Sequence, residues 1–461
     1  MLTAPLLHGF GVRYDLPLSL SLYIFASALA VILSFVLVAL FASHKVGELA
    51  TRYPRLELRR LCGVTNIGWL RGLGGTVGVF FLLAIILTGF FGSQMPDKNP
   101  AEYLLWIYFW AGLVVLTGLI GPIWDALNPF VAIYRVIRSL TGGSDQLSVS
   151  PDRLEKLGFW PAFILYFFFA AFELASGSAN RPWLVATLAT IYTLFTVGGM
   201  RLFGSKSWLQ HFEFFTILFS IFRRIAPIQI QEERIYLQPW GTALLEQWES
   251  GWDRISFVIL MLSSLAFDGV LATPLWQSIV LNLQPFWQTL GSWGLPVTKA
   301  LGILVLTAIF WVVFVLFMRL VIYFGKVEVE ILPTITVFAL TLVPIAFVYN
   351  LAHNYSYLTI QGQGLFPLLA DPFGRGWHLL PISASFEPSF ALAGAETVWY
   401  AQVVLIVIGH IIAVYLAHLR AGERFKLARN VILSQYPMLL LMVLYTMTSL
   451  WILAQPITEM G

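Results

Sequence analysis

The stretch "TKALGILVLTAIFWVVFVLFMRLVIYF" at residues 298–324 decides the fold of this chain. Its only charged side chains are Lys299 near the start and Arg319 near the end. A helix needs about 20 mainly apolar residues to cross the hydrocarbon core of a bilayer, so this stretch predicts a membrane-spanning helix. The whole chain of 461 residues is 58% hydrophobic and 11% charged, with a mean hydropathy of +0.80. Soluble domains carry about 25% charged residues, so the composition indicates a multi-pass membrane protein.

Ten segments of the chain are long and apolar enough to span a membrane. They are residues 18–42, 73–92, 102–121, 157–177, 182–200, 254–272, 298–324, 331–354, 396–418 and 430–455. The predicted fold class is an all-α polytopic membrane protein, with about ten transmembrane helices and one or two interfacial or re-entrant helices. No linker or internal repeat divides the sequence. It therefore predicts a single transmembrane domain over residues 1–461, with one long periplasmic loop at residues 355–395.

The distribution of basic residues predicts the orientation of the spans. With the N-terminus outside, 22 of the 27 lysines and arginines fall in inner loops and five fall outside. Cytoplasmic loops of membrane proteins carry an excess of Lys and Arg. We therefore expect the chain in the inner membrane of a bacterium, with both termini in the periplasm. The start of the chain lacks a charged region followed by an apolar stretch, so no cleaved signal peptide is expected there.

Two apolar stretches are too short or too interrupted to cross. Residues 208–222, "WLQHFEFFTILFSIF", precede two arginines, and a crossing there would turn every later loop to the other side. We interpret them as a re-entrant or interfacial helix. Residues 121–140 are interrupted by glycine and proline, so we expect them to lie along the inner interface. There Asp125, Asn128 and Arg135 would serve as helix caps and interface anchors.

Several kinds of site are excluded by the sequence. The basic residues are scattered in loops between the spans, so there is no nucleic-acid signature. The single cysteine, Cys62, excludes an internal disulfide and any CxxC metal motif. The HExxH, HxH and GxSxG patterns are missing as well. The expected partners are the lipid bilayer, a small-molecule substrate and other membrane subunits.

Ionisable side chains gather at one level of the predicted membrane, near its outer face. Glu173 and Asp268 lie about one turn from the outer ends of the fourth and sixth spans, and His353 ends the eighth. Charged groups inside a membrane are costly and are functional candidates by default. These three residues are therefore expected to form the floor of a polar pocket that opens outward.

The long outer loop is expected to cover this pocket. It contains "QGQGLFPLLADPFGRGWHLL" at residues 361–380, which holds Asp371, Arg375 and His378. Glycine and proline allow tight turns and a close approach of the backbone. Arg375 and His378 are then the nearest cationic partners for the carboxylates below.

Each of these residues also has a structural interpretation. Glu173 can snorkel or cap a neighbour. "DPFGRGW" can be a tight turn with a local ion pair between Asp371 and Arg375. His353, beside two asparagines, can be a hydrogen-bonded helix end. His410 is expected to bond a neighbouring backbone or hydroxyl group, and no other span offers a histidine at its depth for a haem held by two histidines.

Five stretches of the chain resemble a known family of bacterial integral membrane proteins. They are "HGFGVRYDLPL" (8–18), "GPIWDALNPF" (121–130), "FDGVLATPLW" (267–276), "HNYSYLTIQGQGLFPLLADPFGRGW" (353–377) and "SQYPMLLLMVLYTMTSLWILAQP" (434–456). The family is described as fenitrothion hydrolase or fenitrothion hydrolase-like. The resemblance implies hydrolysis of an organophosphate triester, with a native substrate other than a synthetic pesticide, and it brings no catalytic residues with it. Relatives are expected to carry a longer leader before the HG pair.

Three functions fit these observations, and the residues leave the choice open. In a metal-assisted phosphotriester hydrolase, a divalent metal such as zinc or copper activates water, and Asp268, His353 and Arg375 are the catalytic residues. The candidate metal ligands are His353, His378, Asp268, Glu173 and Asp371. In a transporter or channel, Glu173, Asp268 and residues 208–222 line the path. The third function is a non-catalytic subunit of a larger membrane assembly, respiratory or metal-handling.

Overall fold

The computed structural model describes residues 19–41, 53–57, 67–142, 154–231, 234–326, 328–381, 386–391, 394–425 and 427–458. Its helices, in chain order, are α1 (Leu20–Phe41), α2 (Ile67–Phe91), α3 (Pro100–Leu119), α4 (Ile123–Leu127), α5 (Pro129–Thr141), α6 (Trp160–Ala175), α7 (Pro182–Phe203), α8 (Ser205–His211), α9 (Phe214–Phe222), α10 (Trp252–Val270), α11 (Pro274–Asn282), α12 (Gln284–Thr289), α13 (Gly294–Gly325), α14 (Ile331–Ala339), α15 (Val343–His353), α16 (Tyr355–Thr359), α17 (Leu365–Ala370), α18 (Ala395–Arg424) and α19 (Ala428–Thr458). Three short strands, β1 (Leu56–Glu57), β2 (Ile228–Gln231) and β3 (Arg234–Leu237), form an antiparallel sheet in the order β1-β3-β2.

Contacts between residues divide the chain into two compact units. The first unit comprises Met1–Pro54, Pro239–Ser356 and Leu392–Gly461, and the second comprises Arg55–Gln238 and Tyr357–Ala391. We predicted a single domain from the lack of a linker. The two units alternate along the sequence, and the boundary between Ser356 and Tyr357 falls inside α16, so no linker marks it.

The long apolar helices confirm an all-α, multi-pass membrane fold. Eight helices in the described residues are long and apolar enough to cross a membrane, with the α14–α15 segment Ile331–His353 counted as one. A ninth crossing arises if α10 and α11 form one broken span, and α6 is apolar but has 16 residues. All ten predicted segments are helical, while the number of ten crossings stays a prediction.

The helix pair α10–α11 is bent by 87° between residues 270 and 274. The local sequence explains the break. Thr273 caps α11 by accepting a hydrogen bond from the Trp276 N–H, and Pro274 occupies the first position of α11. Proline suits that position because its missing N–H would have no partner there. The predicted span at residues 254–272 therefore ends at a sharp turn, and Asp268 lies about one turn before it.

Two elements form the centre of the first unit. In the apolar 18-residue stretch of Ile331–His353, 83% is buried inside the protein. The corresponding stretch of α1, at the periphery, is 22% buried. Along α10, almost every side chain from Ile255 to Phe267 is buried as well. A helix that is apolar all round is stable where other protein surrounds it. The residues at the ends of these elements, Asp268 and His353, are thus held by the most enclosed helices of the unit.

In the second unit, glycines let α2 contact the "GPIWDALNPF" segment closely. An added Cβ at Gly74 would lie 2.6 Å from the Ala126 carbonyl oxygen, and one at Gly78 would overlap the Leu127 carbonyl oxygen. Their spacing of four places both on one face of α2. Small residues at this spacing allow backbones to approach in membrane proteins, where dispersion contacts drive helix association.

Replacing Gly78 by alanine should therefore lower the thermal unfolding midpoint. The added methyl group meets a fixed backbone carbonyl, and overpacking typically costs about 1–3 kcal/mol. Gly72 on the same helix supplies the matched control, because the described residues place nothing within 4 Å of its added Cβ. Gly72→Ala should keep or slightly raise the midpoint, since alanine favours a helix. Equal midpoints for the two variants in detergent would contradict this packing.

The 208–222 segment does not form one helix. It is divided between α8 and α9, with a break at Phe212 and Glu213. Seven of the nine side chains of α9 are buried, whereas an interfacial helix keeps one face against water and one against lipid. Of the two predicted placements, this burial favours a re-entrant helix enclosed by protein. Residues 121–140 are likewise divided, into α4 and α5, as glycine and proline predicted.

Candidate functional site

Asp268 and His353 form a hydrogen-bonded pair in the first unit. The His353 Nε2 atom lies 2.8 Å from Asp268 Oδ2, and the two side chains are 9% and 22% exposed. Asp268 comes from the last turn of α10, and His353 is the last residue of α15. A carboxylate that accepts from one ring nitrogen fixes the orientation of the imidazole and stabilises its protonated form. The contact therefore fixes the His353 ring between α10 and α15.

Tyr349 adds a hydroxyl group beside the pair. Its ring stacks on the His353 ring, with centroids 5.9 Å apart and an interplanar angle of 10°. The hydroxyl oxygen is buried and has no hydrogen-bond partner among the described residues. An added Cβ at Gly269 would lie 2.6 Å from it, so this glycine makes room for the hydroxyl next to Asp268. Burying a hydroxyl group without a hydrogen-bond partner costs free energy. This hydroxyl is therefore a group that can hydrogen-bond to a ligand or to water.

A cation also lies near the pair. Lys299, half-buried on α13, interacts electrostatically with Asp268.

Two asparagines flank His353 near the end of α15. The Asn350 Oδ1 atom is buried without a partner among the described residues, while the Asn350 backbone oxygen accepts a hydrogen bond from the Asn354 side chain. The predicted hydrogen-bonded helix end is thus present at Asn354. His353 itself does more than cap α15, because it joins that helix to α10.

The outer loop forms a tight turn around Asp371. The Asp371 carboxylate accepts hydrogen bonds from the backbone N–H groups of Arg375 at 2.9 Å and Gly376 at 2.7 Å. Gly374 and Gly376 have φ values of 65° and 76°, which glycine adopts without strain. Slight desolvation raises the pKa of Asp371, but these N–H donors outweigh it and hold that pKa below its ordinary value. The carboxylate is therefore occupied by its own turn.

The remaining predicted site residues lie in the second unit. The guanidinium group of Arg375 lies 5.7 Å from the centre of the Phe373 ring, in the same exposed turn. His378 is exposed, and Glu173 is half-buried on α6. The structure thus brings together Asp268 and His353. The pocket that would join them to Glu173, Arg375 and His378 combines residues of both units and stays a prediction.

The predicted metal site receives no support from the side-chain arrangement. Within the described ranges, no group of three or more His, Cys, Asp or Glu residues could hold a metal ion. Asp268 and His353 could supply two metal ligands, and these two side chains are hydrogen-bonded to each other. Elsewhere in the first unit, the His410 Nδ1 atom lies 2.8 Å from the Ile406 carbonyl oxygen. His410 is therefore bonded to the neighbouring backbone, as the sequence suggested.

The buried carboxyl group of Glu213, in the second unit, was not identified from the sequence. Glu213 is 1% exposed and stands at the N-cap of α9, where it accepts from the N–H groups of Phe215 and Thr216. The hydroxyls of Tyr192 and Thr216 lie 2.6 Å and 2.5 Å from its oxygens. Burial raises the pKa of Glu213, and the hydrogen bonds from Thr216, Tyr192 and the two N–H groups lower it without cancelling that effect.

The Glu213 network reaches the "GPIWDALNPF" segment at residues 121–130. The Thr216 hydroxyl accepts from Trp124 Nε1 at 3.0 Å and from the Asn128 side chain at 3.3 Å. Asn128 also caps α5 by accepting from the Val131 N–H, as predicted. The one available signal in the sequence was a lone acid inside an apolar run, "HFEFF", at residues 211–215.

Comparison of the chain with models of known families, with curated proteins and with solved structures finds no match. The resemblance described from the motifs is therefore an expectation that these comparisons do not test. What the chain does has to be inferred from the Asp268–His353 pair and its surroundings.

Proposed function

We propose that this protein is a membrane-embedded hydrolase of neutral organophosphate triesters, with Asp268 and His353 as its acid–base pair. The observation that carries the proposal is the 2.8 Å contact between the imidazole and the carboxylate on the two most enclosed elements of the first unit. The motif resemblance supplies the substrate class. General acid–base pairs of this kind are tuned by burial and by a neighbouring charge.

The chemistry follows from what each group can donate or accept. His353 takes a proton from water, and Asp268 stabilises the imidazolium that forms. The water oxygen forms the new bond to phosphorus while the bond to the aryloxide leaving group breaks. The Tyr349 hydroxyl, which has no partner in the described residues, donates to the phosphoryl oxygen as charge develops there. The proton on His353 then passes to the aryloxide, so the products are a dialkyl phosphate and a phenol.

Release of 4-nitrophenol from 4-nitrophenyl diethyl phosphate tests this proposal. Purified protein in phospholipid vesicles should release the phenol faster than the same vesicles carrying the Asp268→Asn, His353→Gln double variant. Equal release by the two preparations would overturn the assignment. The neutral triester is the suitable probe because it partitions into the bilayer and reaches a site near the membrane face.

The break between α10 and α11 favours a second function, a proton-coupled transporter. Broken helices in transporters place polar groups at the point where the helix is interrupted, and Asp268 lies about one turn before the 87° bend. In this case no phenol would be released. An imposed pH gradient across the vesicles would instead drive proton flux in the intact protein and not in the double variant.

We also propose that the chain lies in the bacterial inner membrane with both termini in the periplasm, as the distribution of 27 basic residues indicates. Alkaline phosphatase fused after Gly461 should then be active. The same reporter fused after Gly142, in a predicted inner loop, should be inactive and serves as the control. Activity at Gly142 together with inactivity at Gly461 would reverse the orientation and place Asp268 and His353 near the inner face.

A further inference from the structure

The second unit contains a large apolar cavity whose occupant can be inferred from its lining. The cavity has a volume of about 620 Å³ and is bounded by residues of α2 to α7 and α9. Volumes of this size are typical of sites for small ligands, about 300–1,000 Å³. Its lining residues belong to the second unit, whereas Asp268 and His353 belong to the first. We call it the aromatic cavity, because 13 of its 27 lining residues are Phe, Tyr or Trp.

The polar atoms in the lining are already bonded to the protein. Among the lining residues, polar side-chain atoms occur in Trp106, Tyr108, Trp124 and Tyr192. Trp106 Nε1 donates to the Ala179 carbonyl at 2.9 Å, and the Tyr108 hydroxyl donates to the Gly362 carbonyl at 3.0 Å.

The other two donors are occupied in the Glu213 network. Trp124 Nε1 donates to the Thr216 hydroxyl, and the Tyr192 hydroxyl donates to Glu213. A ligand carbonyl would therefore find no free side-chain donor in the lining, which costs free energy in an apolar site. A hydrocarbon chain has no such group to satisfy.

The mouth of the aromatic cavity lies on the apolar outer surface of the helices. Lining residues Val77, Phe168 and Ile191 are 51%, 62% and 56% exposed, and they come from α2, α6 and α7. α2 and α7 are long enough to span the bilayer. These exposed side chains therefore face lipid hydrocarbon, and the mouth opens sideways into the bilayer.

The shape of α3 contributes to the cavity. Tyr103–Gly112 is π-helical, and Trp106, Tyr108 and Phe109 within it line the cavity. A π-helix is wider than an α-helix and is rare, and π-helical turns frequently occur at functional sites. Here a ten-residue π-helix forms part of the wall of the aromatic cavity.

We propose that the aromatic cavity holds one hydrocarbon chain of a bilayer lipid, which enters from the side. Lipid tails are as apolar as the lining, so transfer from the bilayer gains little hydrophobic free energy. The gain comes from dispersion contacts, because an unfilled void leaves its walls without contact atoms. Water does not compete, since an apolar cavity without free polar partners stays dry.

Photolabelling with a lipid tests this assignment. The protein is placed in phosphatidylcholine vesicles containing a phosphatidylcholine with a diazirine near the end of one acyl chain. After illumination, adducts are mapped by mass spectrometry of peptides. We expect adducts on cavity residues such as Leu165 and Ala189 several-fold above those on Val305 and Leu316 of α13. The latter two side chains are 58% and 53% exposed and report ordinary contact with surrounding lipid.

A cavity-filling variant sharpens the test. Ala189→Phe places a ring in the cavity and should remove most adducts from Leu165. Ala308→Phe, on an exposed face of α13 in the first unit, is the matched control and should leave the pattern unchanged. If Ala189→Phe does not fold, the comparison of cavity adducts with α13 adducts in the unaltered protein still tests whether a lipid chain occupies the cavity. Uniform labelling of cavity and α13 residues, or a retained compound other than lipid in native mass spectra, would overturn the proposal.

Discussion

Replacing Asp268 by asparagine should lower the hydrolysis of 4-nitrophenyl diethyl phosphate by about 10²- to 10⁴-fold, the usual contribution of general acid–base catalysis. Asparagine keeps the size of the side chain, and its oxygen still accepts from the His353 ring, which lies 2.8 Å from the carboxylate. It lacks the charge that stabilises the imidazolium. The loss should therefore appear in kcat rather than in KM.

The two residues of the pair should act as one group. If His353 takes the proton and Asp268 stabilises the protonated ring, the His353→Gln variant and the double variant should lose the same activity, and at least as much as Asp268→Asn loses. His418→Gln is the matched control, since His418 is also buried in the first unit and bonds Gln435 at 3.0 Å. It should lower the unfolding midpoint without a comparable loss of turnover. A similar activity loss in all variants would indicate damage to the fold.

Tyr349→Phe separates catalysis from stability. The Tyr349 hydroxyl has no partner among the described residues, so its removal leaves no group unsatisfied and should not lower the unfolding midpoint. If the hydroxyl stabilises the developing oxyanion, turnover should fall by roughly 10²- to 10³-fold. Unchanged turnover would remove Tyr349 from the mechanism and leave the acid–base pair untouched.

The sequence predicted the helices well because the bilayer imposes their length. Each of the ten predicted segments is helical in the structure. The search for apolar stretches of membrane-spanning length overlooked α11 and α12, because Gln277, Asn282 and Gln284 interrupt the apolar run there. It also gave no sign of the two units, since their boundary depends on which helices pack together and not on composition.

For the candidate site, the position of a residue in the sequence predicted its depth in the membrane but not its hydrogen-bond partners. Asp268 and His353 were placed at one level, and the structure joins them at 2.8 Å. Asp371 is held by the N–H groups of its own loop, which matches the tight turn that "DPFGRGW" also allowed. Three of the four donors to Glu213 are groups of Phe215 and Thr216, so its helix cap was open to local prediction and was missed, whereas the Tyr192 hydroxyl and the burial of the network come from the fold. Local patterns predict local hydrogen bonds, whereas a buried network depends on packing.

Replacing Glu213 by alanine should prevent the second unit from folding. The change leaves the N–H groups of Phe215 and Thr216 and the hydroxyl of Tyr192 buried without an acceptor. Each such group costs about 1–3 kcal/mol, and the two N–H groups are those that the helix cap satisfies. The sum is a large part of the roughly 5–15 kcal/mol that stabilises a typical protein. Glu155→Ala, at an exposed site in the same unit, should leave the unfolding midpoint unchanged.

Glu213→Gln should fold and should reveal the protonation of the carboxyl. Because the pKa of Glu213 is raised by burial, the folded protein keeps a proton that the unfolded chain releases. The free energy of unfolding should then fall as pH rises from the ordinary pKa of glutamate through the raised value. Glutamine cannot titrate, so its variant should lack this slope while keeping one oxygen as an acceptor. Thermal unfolding of both proteins across that pH range measures the difference. Parallel curves would show that Glu213 is as ionised in the folded protein as in the unfolded chain, and would leave its four hydrogen bonds as its whole contribution.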